Sequence, residues 1–417
     1  MRVEDQRNWR ARTRTGVETT FKAAFGAGKN DFRHGAQYDR RMAGKRLHYI
    51  GQQLFSAIGE LSMSRITLDH AATTAILPGA REAMVAAWSS WANPNSPHAE
   101  GRAARAMLEE ARATVAKALD WRHDIIFTSG ASEAVTIAAS RAIVARRLVG
   151  ATEHDIVPHA MGEGAEPLCV DCNGLIDVAA LDAAMAAGPA LVAVQQANNE
   201  TGVIQDIASI GERVRAAGSL WLADCAQSAG KIDLPDADFI AVSAHKLGGP
   251  PGIGALLVRD LATLRASGGQ EKGFRRGTQN VPAAVGFGAA LANGVFRKEM
   301  PRLEKLRARL DEGVSAVGGT IVAADVDRIA TIGAIALPGA SAAGLLVQLD
   351  LAGFAVSAGS ACSSGSMKAS RVLAAMGIDD DIAGSTIRIS FGPATSDAEI
   401  DAFLAAFEQI ARRARVA

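Results

Sequence analysis

The chain has 417 residues, 48% of them apolar, with 44 basic and 44 acidic side chains. Net neutrality gives no reason to expect nucleic acid or a membrane surface as the main partner. No apolar run is long enough to span a bilayer, and four cysteines in so long a chain make no disulfide framework. The expectation is a soluble, cytoplasmic α/β protein without a secretory signal, long enough for two or three domains.

Residues 1–62 carry 12 Lys+Arg against 6 Asp+Glu, a surplus of +6 that the rest of the chain offsets. Both tyrosines, Tyr38 and Tyr49, lie there, and sustained apolar periodicity is missing. This stretch reads as an N-terminal extension outside the folded unit, poorly ordered or not native, with Met63 a competing start. A partner-binding arm stays open. A cleaved presequence fits worst, because presequences are poor in acids.

After Met63 a strand-like start at Ile66–Leu68 leads into helical periodicity over 79–91, 102–119 and 132–149. Short apolar runs follow at 125–127, 191–194, 220–223, 239–242 and 254–258, with an amphipathic stretch at 207–217 among them. Such strand–helix alternation predicts a mostly parallel sheet covered on both faces. Near residue 300 the texture changes to a long charged helix (300–317), a strand (331–337) and a helix (342–351). The predicted division is a large domain, 78–299, and a smaller α+β domain from 63–77 with 300–417. A last helix is expected over 397–413.

Sheets of this type bind ligands at the carboxyl ends of their strands. The run 125–127 is followed by Thr128-Ser-Gly-Ala-Ser132-Glu, which opens a helix as a phosphate site does, although an ordinary N-cap explains it equally. The next runs end in Asn198-Asn-Glu-Thr-Gly202, in Asp224-Cys-Ala-Gln227, and in Ser243-Ala-His-Lys246 before a glycine-proline turn. Each is weak alone; together they suggest a common ligand. Pyridoxal phosphate meets the requirement. It needs a lysine for its aldehyde, a carboxylate for its ring nitrogen and a helix N-terminus for its phosphate, with a face to stack on. Lys246, Asp224, Ser132 and His154 provide these. Cys362 sits in Ser357-Ala-Gly-Ser-Ala-Cys-Ser-Ser-Gly-Ser366, without the bulky neighbours a structural cysteine has; that placement suits a reacting thiol. Cys169 and Cys172 read as structural, in a strand leading to a turn at Asn173-Gly174, because no second metal-ligating pair is near. Cys225 reads as a buried strand cysteine.

In register, these motifs resemble the cysteine desulfurases of the NifS/IscS group, class V aminotransferase relatives among fold-type I pyridoxal-phosphate enzymes. The matching segments are 68–74, 93–98, 128–133, 152–154, 198–202, 224–227, 243–246, 276–278, 357–364 and 385–390. The resemblance implies a seven-stranded, mostly parallel sheet in the large, cofactor-binding domain, and a homodimer. It implies Lys246 as the Schiff-base lysine, Asp224 on the pyridinium, and Gln227 and Asn199 on the ring hydroxyl. His154 would stack on the ring and move protons, and Ala131, Ser132, Ser243 and His245 would hold the phosphate. Thr278 would reach the phosphate of the other subunit. Arg388 would clamp the carboxylate of L-cysteine, with Asn95 assisting near the substrate.

By the same resemblance, Cys362 takes sulfur as a persulfide and delivers it to an acceptor protein for iron–sulfur cluster or thio-cofactor synthesis. No resident metal is implied, and Cys362 stays open as a transient iron–sulfur ligand. A selenocysteine lyase or another pyridoxal-phosphate lyase or aminotransferase is the alternative within enzymes. A non-catalytic scaffold of the same fold is the alternative outside them. The chain stops soon after its last helix, which puts docking of an iron–sulfur scaffold in doubt.

Overall fold

The computed structural model describes residues 65–359 and 370–414. The chain divides after Met63 into two units, and the second, Ser64–Ala417, holds all of these described residues. The expected extension, 1–62, and Cys362 lie outside the described residues.

The strands are β1 (Ile66–Thr67), β2 (Asp124–Thr128), β3 (Arg146–Gly150), β4 (Glu166–Leu168), β5 (Ala190–Ala193), β6 (Leu220–Asp224), β7 (Phe239–Ser243), β8 (Gly254–Val258), β9 (Thr320–Ile321), β10 (Ile332–Ala336), β11 (Phe354–Ala355) and β12 (Thr386–Ser390). Seven of them form one sheet in the order β2-β8-β7-β6-β5-β3-β4. β3 to β7 run parallel, while β8 is antiparallel to both of its neighbours, β2 and β7. β2 and β7 therefore point the same way. The loops leaving β2, β3, β5, β6 and β7 all emerge at one edge of the sheet.

Both faces of this sheet are covered, as its apolar runs require. Along β7, Ile240 and Val242 join one core cluster, and Phe239 and Ala241 join the cluster on the opposite face. Side chains alternate across a strand, so a run apolar at every position must be buried twice. Burying each such Val, Leu or Ile side chain stabilises by roughly 1.5–3 kcal/mol.

A second sheet, β12-β10-β9, is antiparallel. Its core includes Leu303, Leu310, Leu345 and Phe403 from three helices: Val295–Ala316, Ala342–Leu351 and Asp397–Ala414. Phe403 stacks on Phe407 and meets Phe354 edge-on. Arg388, in the middle of β12, pairs in register with Ala334 of β10.

Two expectations need correction. The helical stretch expected over 132–149 is a helix only to Arg141, and β3 begins at Arg146. The break has a visible cause. The Arg147 guanidinium donates to the carbonyls of Ala139, Ala142, Val144 and Arg146. It thereby satisfies backbone acceptors that a helix end leaves open. The charged helix expected from residue 300 begins at Val295, and Pro301 sits inside it. Pro301 falls in the second turn, which sequence reading takes as a boundary.

Candidate active site

At the end of β6, Asp224 Oδ1 accepts a hydrogen bond from the Ala226 amide at 2.8 Å. This turn carries Gln227 beneath the 68–74 segment, where its Nε2 donates to the Ala71 carbonyl at 3.0 Å. The other end of that buried amide, Oε1, has no protein partner. Buried polar atoms are rarely left so, and an orphan of this kind needs an explanation.

At the end of β7, Ser243 leads into one 3₁₀ turn, Ala244–Lys246. The Thr74 amide donates to the His245 carbonyl at 2.8 Å, and Thr74 Oγ1 reaches the Lys246 carbonyl at 3.4 Å. His245 Nδ1 lies 3.2 Å from Thr73 Oγ1. The lysine turn is thus strapped by a segment far away in sequence. Beyond it, Gly248 has φ +86°, and a Cβ there would come within 2.6 Å of Leu77. Only glycine meets both demands.

At the end of β2, Gly130 precedes the helix Ala131–Arg141, whose first turn holds Ser132 and Glu133. A Cβ on Gly130 would sit 3.9 Å from Ser243 Oγ, so the β2 and β7 loops meet. Glu133 accepts from the Ser129 amide at 2.5 Å and pairs with Arg275 at 3.1 Å.

At the end of β3, Glu153 and His154 follow Thr152. The Thr152 carbonyl accepts from Gln195 Nε2 at 2.7 Å and from Asn198 Nδ2 at 3.0 Å. Asn198 Oδ1 accepts in turn from the amides of Glu200 and Thr201. Two strand-end loops, carrying His154 and Asn199, are locked together.

Arg388 is buried. Its Nη1 donates to the Asn199 carbonyl at 2.9 Å, and its Nη2 to Asp69 Oδ1 at 2.8 Å. Its Nε is buried and without a protein partner. Sequence reading missed Asp69, although it lies inside the 68–74 motif.

The charges of these groups are felt in common. Burial lowers the pKa of His154, Asp224 opposes that shift, and Lys246 adds to it. His245 is also lowered, by burial and then by Lys246. Lys231 is buried with its ammonium 4.9 Å from the centre of the Phe296 ring, and burial with the Lys246 charge brings its pKa down to about 7. Neutral imidazoles beside a cationic lysine and a carboxylate form a set able to accept and pass protons.

Glu153 is shifted in the opposite sense. Burial, then the Asp224 charge, push its pKa up to about 8. A carboxyl whose folded pKa lies above its ordinary value holds a proton that the unfolded chain gives up. Its stability contribution is fully present below about pH 4.5 and is lost as pH rises through about 8. Glu153→Gln keeps an acceptor for the Gln195 amide and removes this titration. The variant is expected to gain thermal stability over the parent at pH 8 and little at pH 5, as read by melting temperature.

Other expected site residues fall elsewhere. Asn95 Nδ2 donates to Gln279 Oε1 at 3.1 Å, which places it beside Thr278. Thr278 itself is exposed. His98, which had no assigned role, caps the helix Ala99–Ala118 by accepting from the Gly101 amide. Cys225 is buried, and burial pushes its thiol pKa up. Cys169 and Cys172 are exposed around a turn that closes from Asp171 to Gly174. Among the described residues no group of three His, Cys, Asp or Glu side chains gathers as a metal site, and no helix is long and apolar enough to cross a membrane.

Comparison with known proteins agrees with this geometry. Residues 66–403 match the aminotransferase class-V family. A cysteine desulfurase of Cereibacter sphaeroides is 35% identical over 366 residues, covering 82% of this chain and 94% of its own length. The cysteine desulfurase IscS of Vibrio cholerae serotype O1 is 38% identical over 364 residues, covering 81% and 90%. Among solved structures, a NifS-like protein from Rickettsia africae superposes with TM-score 0.77 at 32% identity, over 83% of this chain and 99% of its own. SspA in complex with cysteine gives 0.67 at 27%, over 80% and 100%. The chain belongs to the aminotransferase class-V family, as a cysteine desulfurase of the NifS/IscS type.

Proposed function

We propose that the chain binds pyridoxal phosphate at this sheet edge and converts L-cysteine to L-alanine, taking the sulfur onto Cys362 as a persulfide for an acceptor protein. One observation carries the reading. Asp224, Lys246 and His154 follow three parallel strands at one edge, and share their field, beside a buried Gln227 Oε1 without a partner. The residues fit the cofactor. Asp224 suits its ring nitrogen, and the unpartnered Gln227 Oε1 suits its ring hydroxyl as an acceptor. The helix start at Ala131 and Ser132, with Ser243 and His245, suits its phosphate. Asn199 stands beside this set, and Thr278 is free to serve a partner subunit's phosphate in a homodimer.

Bound there, the cofactor supplies an electron sink for negative charge at the substrate Cα. The chain supplies the rest. Arg388, held flat by Asp69 and the Asn199 carbonyl, presents its remaining N–H groups to the substrate carboxylate. Lys246 takes the Cα proton, and His154, kept neutral, accepts a proton near the ring. The Cys362 thiolate attacks the substrate sulfur; an S–S bond forms, the C–S bond breaks, and the carbon fragment leaves as alanine after protonation. Ser357 shares two backbone hydrogen bonds with Arg388, at 2.6 and 3.3 Å. Cys362 lies five positions further along the chain, a reach of at most about 18 Å, so the thiol is tethered to the carboxylate-binding side of the site.

The test is to incubate the purified protein with L-cysteine and a reductant. Alanine and sulfide are expected in equal amounts. Pyruvate with ammonia, or no product at all, would overturn the reading. L-selenocysteine in parallel decides between sulfur and selenium.

A further inference from the structure

We propose that Arg371 is a positioning residue for His154, clamping the residues on either side of it, so that Ser370 and Arg371 form part of the site's wall. The proposal rests on the desulfurase reading only for the role of Cys362. The geometry is local. Arg371 Nη2 donates to the Glu153 carbonyl at 2.5 Å, and the same nitrogen lies 3.0 Å from Asp155 Oδ1. Nε reaches that same Asp155 oxygen at 3.2 Å. The guanidinium fork therefore straddles His154, holding the residue before it by the backbone and the residue after it by the side chain. Nε adds a second donor to Asp155 and so fixes the plane of the guanidinium; an ammonium has no second nitrogen to do this.

The preceding residue repeats the pattern. Ser370 Oγ donates to Glu200 Oε2 at 2.6 Å and also caps the short helix Arg371–Ala375 by accepting from the Leu373 amide at 3.1 Å. Glu200 is buried in the loop that carries Asn199. Ser370 and Arg371 thus fasten the chain eight and nine residues after Cys362 to both loops that present ring-side groups. The Asp155–Arg371 pair is half exposed and contributes little stability of its own. Its effect is on geometry, and misplacing a catalytic group is costly in rate.

The charged groups facing His154 are Asp224 at the end of β6, Lys246 in the 3₁₀ turn, and Asp155 and Arg371 beside it. Lys246 and Arg371 lower its pKa; Asp224 and Asp155 raise it. Arg371→Leu should therefore move the His154 midpoint up, and Asp155→Asn should move it down. The midpoint is read on the full-length protein by mass spectrometry of imidazole C2-hydrogen exchange against pH. Arg371→Leu should also lower kcat about tenfold with KM nearly unchanged and alter the visible circular dichroism of the bound cofactor. Arg371→Lys is the deciding variant, because it restores the charge without the fork. The His154 midpoint should return to the wild-type value while kcat and the dichroism stay altered. Full recovery by lysine would overturn positioning in favour of charge alone, and an unmoved midpoint in Arg371→Leu would overturn the contact itself. If the wild-type protein makes no alanine, the desulfurase reading fails, whereas midpoint and dichroism still decide this one.

Discussion

Lys246→Ala is expected to abolish alanine formation from L-cysteine, by a factor of about 10³ or more. Proton transfer at a positioned group contributes roughly 10²–10⁴-fold, and here the same side chain also anchors the cofactor. The fold should survive. The contacts that shape this turn are made by backbone carbonyls: Thr74 straps the carbonyls of His245 and Lys246, and the Gly249 amide donates to the Ala244 carbonyl. None of these needs the lysine side chain. Loss of the charge should also relax its surroundings, since it holds down the pKa values of His154, His245 and Lys231. The checks are alanine by chromatography, the visible absorbance after adding pyridoxal phosphate, and a thermal melt. A variant that keeps a tenth of the activity would exclude Lys246 from the chemistry.

Most of the sheet was legible because its strands are buried on both faces. A run such as Phe239-Ile-Ala-Val has no alternation to misread, and the polar group that ends each run marks the edge where ligands sit. Lys246, Asp224 and His154 were therefore visible as a set before any geometry. The errors fall where a local signal is cancelled by one distant in sequence or hidden within a motif. Arg146 and Arg147 continue the helical pattern in sequence, yet Arg147 folds back and ends the helix. Asp69 gave no sign of pairing with Arg388, because 319 residues separate them. Glu153 was passed over beside His154, although a glutamate in a strand-end motif that turns out fully enclosed is where a shifted pKa arises. Arg371 could not have been found by spacing, since its partners lie more than two hundred residues away.

Cys362→Ser should leave the visible absorbance of the bound cofactor intact and cut sulfide release by about 10³-fold or more, since a serine hydroxyl is a far weaker nucleophile than a thiolate. The replacement is nearly isosteric, and the anchors on both sides of Cys362 are made by other groups. Ser357 is joined to Arg388 through the backbone, and Ser370 to Glu200 through its hydroxyl. Nor is a second thiol placed to take over. Cys225 is fully enclosed, and burial pushes its pKa up, so it stays a thiol at neutral pH. Cys169 and Cys172 are exposed. They follow β4, the outermost strand of the sheet, which β3 and β5 separate from the β6 and β7 ends that carry Asp224 and Lys246. The double variant Cys169→Ser/Cys172→Ser should therefore release sulfide at the parental rate. The measurements are sulfide by colorimetry, alanine by chromatography, and a mass increase of one sulfur atom, about 32 Da, on the peptide containing position 362. That mass should appear with the parent and vanish with Cys362→Ser. Sulfide release within tenfold of the parent in Cys362→Ser would remove the persulfide from the mechanism and return the chemistry to Lys246 alone, acting as in a simple β-elimination.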